Sequence, residues 1–107
     1  FSTIDWRARS AEFGIVIGEK SYWDQGYGSE AIRLLLQHGF ETLNLNRISL
    51  RVYATNARAR HAYQKIGFRE EGVLRQAEYR LGQYLDVILM SVLKSEWEGI
   101  KDAPSQP

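Results

Sequence analysis

Apolar positions along the chain change spacing several times, and each change marks an element. Phe13-Gly14-Ile15-Val16-Ile17 is a short, β-branched run of the length of a buried strand. Beyond it Ile32, Leu35, Leu36, Gly39, Phe40 and Leu43 recur at intervals of three and four, the apolar stripe of one helix. Arg47 to Ala54 then alternates, with Ile48, Leu50, Val52 and Ala54 on one face, as a strand in a partly covered sheet does. Helical spacing returns after Asn56. That residue can cap a helix, Ala59, Ala62, Tyr63 and Ile66 line one face, and Gly67 can end it in a left-handed conformation. Residues 69 to 80 and 83 to 94 make two strand-like runs joined through Gly82, with Val87, Leu89, Ser91 and Leu93 opposing Ile88, Met90 and Val92. Strand, helix, strand, helix and closing hairpin predict an α/β layer architecture. Glu96-Trp97 ends the ordered part, so the reading expects one domain over residues 1–98 and a frayed tail over 99–107.

Between the first strand and the first helix lies Trp23-Asp24-Gln25-Gly26-Tyr27-Gly28-Ser29. Glycines there let backbone N–H groups approach a ligand with no Cβ in the way, and the helix behind presents unpaired donors and the positive end of its dipole. An anionic cofactor fits such a turn, although turn glycines in a plain strand-to-helix connection explain it equally well. A dinucleotide site would also need an acidic residue at the end of the next strand, where Ala54-Thr55-Asn56 stands. A nucleoside-triphosphate loop would need Gly-Lys-Ser/Thr after the turn, and none follows.

The second segment decides between these readings. Asn56, Ala59, Tyr63, Lys65, Gly67 and Phe68 complete the pattern N-x-x-A-x-x-x-Y-x-K-x-G-F, and Gly26 and Gly28 precede it by one helix and one strand. Together the two segments resemble the GCN5-related N-acetyltransferase superfamily, in which the first motif wraps the pyrophosphate of acetyl-CoA and the second carries a cofactor-contacting helix. Trp23 stands where that family usually has Gln or Arg. Backbone amides do most of the binding in such a loop, so the change bears little on cofactor binding. With Ala11 to Gly18 before it and Leu89 to Leu93 near the end, the chain is similar to the branch of ribosomal-protein N-terminal and spermidine N-acetyltransferases, over nearly residues 2 to 97.

The resemblance implies an acyl-CoA N-acyltransferase fold, a mixed, mostly antiparallel sheet with flanking helices. It implies acetyl-CoA as the donor, a primary amine as the acceptor and no metal. Tyr63 takes the acid role at the departing thiolate, or is a core tyrosine. Glu12 takes the base role at the amine, or is a solvated strand-edge carboxylate. Val16, Ile17 and Gly18 offer backbone groups to the pantetheine arm from a strand that splays away from the Arg47 strand. Trp23, Asp24, Gln25, Gly26, Tyr27, Gly28 and Ser29 form the pyrophosphate loop. Asn56 reaches the pantetheine or only caps its helix, and Lys65, Arg58 and Arg60 are candidates for the 3′-phosphate.

Length, charge and composition bound the rest. In 107 residues, Phe1 to Trp6 looks like the end of the family's third strand and the only methionine is Met90. The chain is therefore expected to be the C-terminal part of the fold, with N-terminal strands and helices missing. A half-sheet with an exposed edge favours a homo-oligomer, a dimer or a strand-exchanged assembly. A net charge of +1 argues against a nucleic-acid partner, and no apolar run reaches the eighteen or so residues of a membrane span. With no cysteine and two histidines, neither a thiol nucleophile nor a zinc site is expected, and cytoplasm is the expected compartment. Two functions stay open: an acetyl-CoA-dependent N-acetyltransferase, or a non-catalytic CoA-binding or assembly module.

Overall fold

A computed structural model describes residues 3–16 and 27–101, and the side chains of all of these except 13–16, 27–29, 100 and 101. The elements in order are β1 (Thr3–Asp5), β2 (Ser10–Val16), α1 (Tyr27–Gln37) with a π-helical turn (His38–Thr42), β3 (Arg47–Tyr53), α2 (Ala57–Ile66), β4 (Arg69–Arg80), β5 (Gln83–Leu93) and α3 (Lys94–Lys101). The strands form one sheet in the order β1-β2-β3-β5-β4. Only β2 and β3 run parallel; the other three pairs are antiparallel, which gives the mixed, mostly antiparallel sheet expected.

Alternation decides which face is covered. Ile48, Leu50 and Val52 of β3 pair with Val92, Met90 and Ile88 of β5, and all six are buried on one face. Ala11 joins them beside Ile48. On this face lie Leu36 of α1, Phe40 of the π-helical turn, Ala59, Tyr63 and Ile66 of α2, and Trp97 of α3, in one apolar cluster. Burying such side chains stabilises by about 1.5–3 kcal/mol each, so this layer is what holds the helices to the sheet. Positions between them, Arg47, Ser49 and Arg51 of β3 and Glu12 of β2, fall on the opposite face beside Val87, Leu89, Ser91 and Leu93 of β5, so that face mixes charged and apolar side chains.

The helical stripe expected over residues 32–43 is narrower in the fold. Leu36 and Phe40 are buried and Ile32 and Leu43 pack against the cluster, but Leu35 is 36% exposed. The helix also widens: Leu43 N–H donates to His38 O at 3.0 Å, a five-residue step. For α2 the expected signals are realised. Asn56 accepts from Ala59 N–H at 3.2 Å, and Gly67, at φ 129°, donates to Tyr63 O and Gln64 O. Hairpin β4–β5 turns through Leu81 and Gly82, both at positive φ. Two expectations need correction. Helix α3 takes in residues 99–101, assigned to the tail on pattern alone, because Glu96 accepts the Leu93 N–H at 3.0 Å and Trp97 stacks on Phe40 at 5.3 Å. In addition β2 does not splay from β3 within the described residues: Val16 still pairs with Val52, and the departure from regular pairing is a register shift between Glu12 and Ile15.

Candidate active site at the β2–β3 margin

Because β2 and β3 are parallel, each ends at the same margin of the sheet, and each is followed by a helix on the same face. Val16 ends β2, α1 opens at Tyr27, Tyr53 ends β3 and Asn56 caps α2, so two helix N-termini are delivered to one margin and α1 packs against α2. Helix N-termini carry unpaired N–H donors and a partial positive charge, the requirement for an anionic ligand. The carboxyl ends of parallel strands are where open α/β sheets place ligands.

Of the expected cofactor residues, the structure brings Val16, Tyr27, Gly28, Ser29 and Asn56 to this margin. Ile17, Gly18, Trp23, Asp24, Gln25 and Gly26 lie outside the described residues. Tyr63 sits seven residues into α2, about 10 Å from the cap along the axis. Its side chain is fully enclosed, with Phe68 edge-on at 5.8 Å. Burial pushes its phenol well above the usual value, because the phenolate would lose its hydration. The hydroxyl is therefore neutral, a proton donor, across the physiological range. Lys65 is exposed in the last turn of α2, and the structure does not bring it to the margin. Arg60 is occupied elsewhere, its Nε and one terminal nitrogen on the two oxygens of Glu70 (3.0 and 3.2 Å) and its other on Ala54 O at 3.0 Å.

Glu12 and Tyr63 stand on opposite faces of the sheet. Glu12 pairs in register with Ser49 and meets Arg51 Nε at 2.6 Å. A cleft of about 100 Å³ runs along this face, lined by Thr3, Asp5, Ser10, Glu12, Arg47 and Ser49. Farther along, Arg47 pairs with Glu71 at 2.5 Å. The Ser91 hydroxyl, donating to Glu71, and the Arg47 guanidinium hold the Glu71 carboxyl below the usual range, against some opposing burial. At the hairpin, a depression of about 790 Å³ is lined by Val73, Leu74, Arg75, Gln76 and Asp86. Asp86 O accepts from Ala54 N–H at 2.9 Å, which ties the depression to the turn before α2. Sequence reasoning missed Arg51, Glu71 and this depression. The one signal for Arg51 was an arginine on the polar side of an alternating strand. Among the described residues no cluster of three or more His, Cys, Asp or Glu side chains is placed to hold a metal, and no helix is long and apolar enough to cross a membrane.

A mixed sheet with one parallel βαβ unit, two helix N-termini at its margin and a buried helix tyrosine makes an α/β layered fold whose margin suits an anionic ligand. The family model for the acetyltransferase (GNAT) domain matches residues 1–69, and the chain belongs to that family. It is 38% identical over 98 residues to the putative ribosomal N-acetyltransferase YdaF of Bacillus subtilis, covering 92% of this chain and 53% of that one. Against the spermidine N(1)-acetyltransferase of Escherichia coli it is 35% identical over 98 residues, covering 92% and 52%. Its fold superimposes on spermidine/spermine N-acetyltransferase SpeG from Vibrio cholerae, solved in complex with manganese ions, with a TM-score of 0.82 at 32% identity, covering 92% of this chain and 58% of that one. The chain thus spans about half the length of the curated relatives it matches.

Proposed function

We propose that this chain carries the cofactor half of an N-acetyltransferase that moves an acetyl group from acetyl-CoA to a primary amine by direct attack. The observation that carries this reading is the delivery of the β2 end, the α1 N-terminus and the Asn56 cap to one margin, with Tyr63 buried on the same helix as the cap. Acetyl-CoA, when bound, supplies the activated thioester. Backbone groups at Val16 hold the pantetheine arm, and N–H groups at Tyr27, Gly28 and Ser29 meet the pyrophosphate. On this reading Ile17 and Gly18 share the pantetheine role of Val16, and Trp23 to Gly26 share the pyrophosphate role. Asn56 keeps its side-chain N–H donors for the pantetheine, since the cap uses only its oxygen.

The residue roles follow from balance. A C–N bond forms and a C–S bond breaks, so one proton leaves the amine and one is needed at the sulfur. Glu12 accepts the first and Tyr63 donates the second. The two groups act on different substituents of the tetrahedral intermediate, the nitrogen and the sulfur, so they need not share a face. The acceptor is a primary amine of a protein N-terminus, a polyamine or another small amine, in line with the names its relatives carry.

The test has two arms: calorimetric titration with CoA, and steady-state release of free thiol from acetyl-CoA against a panel of amines. Binding together with amine-dependent release supports the proposal. Binding without release selects a non-catalytic CoA module instead, and absence of binding removes both.

A further inference from the structure

We infer that Arg80 recognises a carboxylate on the acceptor, so that among the acceptors left open above the acidic amines are preferred; this rests on the acetyl-transfer reading. Strand β3 ends at Tyr53, paired with Val87, whereas β5 runs back to Gln83 with β4 as its partner. The pairs Glu78↔Leu85, Tyr79↔Tyr84 and Arg80↔Gln83 therefore project as a two-stranded arm past the margin where β2 and β3 end. At its root β4 advances four residues, Leu74 to Glu78, against two of β5, a bulge that bends the arm. Tyr79 and Tyr84 meet edge-on at 4.9 Å on one of its faces. Alternation sets Gln83 on the side of Val87, so Arg80 and Tyr53 share the other face, the one that carries Glu12. There the exposed Arg80 places its Cζ 6.0 Å from the centroid of the Tyr53 ring.

That contact holds the cation without using up its chemistry. An aromatic face attracts a guanidinium through its charge, and the N–H donors stay available as a planar fork that matches a carboxylate. No ion pair or side-chain hydrogen bond among the described residues takes them. On the same face Arg51 is paired with Glu12 and Arg47 with Glu71, and Glu78, two positions before Arg80, makes no ion pair with it. Asp86, on the arm's first face, accepts the Gln76 N–H at 2.8 Å. Val16 pairs with Val52, one residue before Tyr53, so the end of β2 lies about 6 Å from Tyr53, one strand spacing across and one residue along. The guanidinium is then on the order of 10 Å from the end of β2, the span of about three extended residues. A carboxylate there belongs to a free amino acid or to the first few residues of a peptide N-terminus.

The experiment compares acceptors on the full chain, as kcat/KM from thiol release at saturating acetyl-CoA, in pairs that differ only in charge. Ala-Glu-Ala and Ala-Gln-Ala, each with a free α-amine and an amidated C-terminus, form one pair; γ-aminobutyrate and γ-aminobutyramide form the other, and spermidine is the cationic reference. The parent is expected to favour the acid of at least one pair by about 10- to 100-fold. A response of the peptide pair alone assigns a peptide N-terminus, and of the small pair alone a free amino acid. In Arg80→Met the rate with the acid is expected to fall to within about threefold of its amide, with the KM for acetyl-CoA unchanged. Arg80→Glu is expected to turn the preference toward Ala-Lys-Ala amide, and Tyr53→Leu, which removes the platform and leaves the cation, to lose part of it. Equal kcat/KM within both pairs, a preference for spermidine over the acids, or an acid preference that survives in Arg80→Met overturns the inference and leaves acetyl transfer standing. Thiol release with no acceptor at all overturns the acetyl-transfer reading itself.

Discussion

Tyr63 is placed to be two things at once, and burial makes them compatible. A neutral phenol costs less to enclose than a phenolate, and enclosure keeps it protonated, as the acid role proposed for it requires. Replacing Tyr63 with Phe is expected to lower kcat by roughly ten- to a thousand-fold with CoA affinity nearly unchanged, read by thiol release and calorimetry. Turnover equal to the parent would make Tyr63 a core residue only. Asn56 has a similar double reading, and two substitutions separate its parts. Asn56→Ala removes the cap and is expected to cost about 1 kcal/mol, lowering Tm by roughly 4–8 °C in a domain of this size. Asn56→Ser keeps a capping oxygen but loses the amide donors. Stability should then hold within about 0.5 kcal/mol while CoA binds more weakly; unchanged affinity would reduce Asn56 to a cap.

At the scale of elements, local chemistry was the legible part. The spacing over Asn56 to Gly67 predicted α2 with both its ends, and cap and left-handed glycine are where that pattern puts them. The alternation of Ile48, Leu50 and Val52 predicted the covered face of β3. What escaped the pattern depends on long-range partners. Helix α3 is only two turns long and is held by Trp97 against Phe40, a contact that spacing does not reveal. The pairs Glu12–Arg51 and Arg47–Glu71 exist because the sheet order sets distant strands side by side. Two predictions belong here. Leu81 is 92% exposed at φ 52° in the hairpin turn, a conformation that suits Asn far better than a bulky apolar side chain. Leu81→Asn is expected to stabilise by about 0.5–1 kcal/mol, seen as a higher midpoint in urea. Glu71 has a depressed native pKa, so its contribution is present above the ordinary carboxylate range and is lost as pH falls through the depressed value. Tm against pH should fall less steeply on the acid side in Glu71→Gln than in the parent; parallel curves would mean the Ser91 and Arg47 contacts add nothing.

At the scale of the whole molecule, the described helices pack on one face of the sheet, and the other face carries charged and apolar side chains together. One edge is the twelve-residue β4, exposed along almost its entire length. Charges at Arg69, Glu70, Glu71, Arg75, Glu78 and Arg80, with register breaks after Glu70 and Leu74, blunt that edge against open-ended pairing. On the proposal that the chain forms a homo-oligomer, a dimer or a strand-exchanged assembly, light scattering at micromolar concentration is expected to give at least twice the chain mass; a monomer would contradict it. The family motif marks the donor side, and the acceptor stays open across protein N-termini, polyamines and other small amines because the chain spans only about half of its curated relatives. The most direct measurement is therefore on the donor: free thiol released from acetyl-CoA, with and without amine, by the parent chain and by Tyr63→Phe. Amine-dependent release that falls at least about tenfold in the variant, with CoA binding retained, is the predicted result. Thiol release that does not depend on any amine, or none at all, would contradict the account.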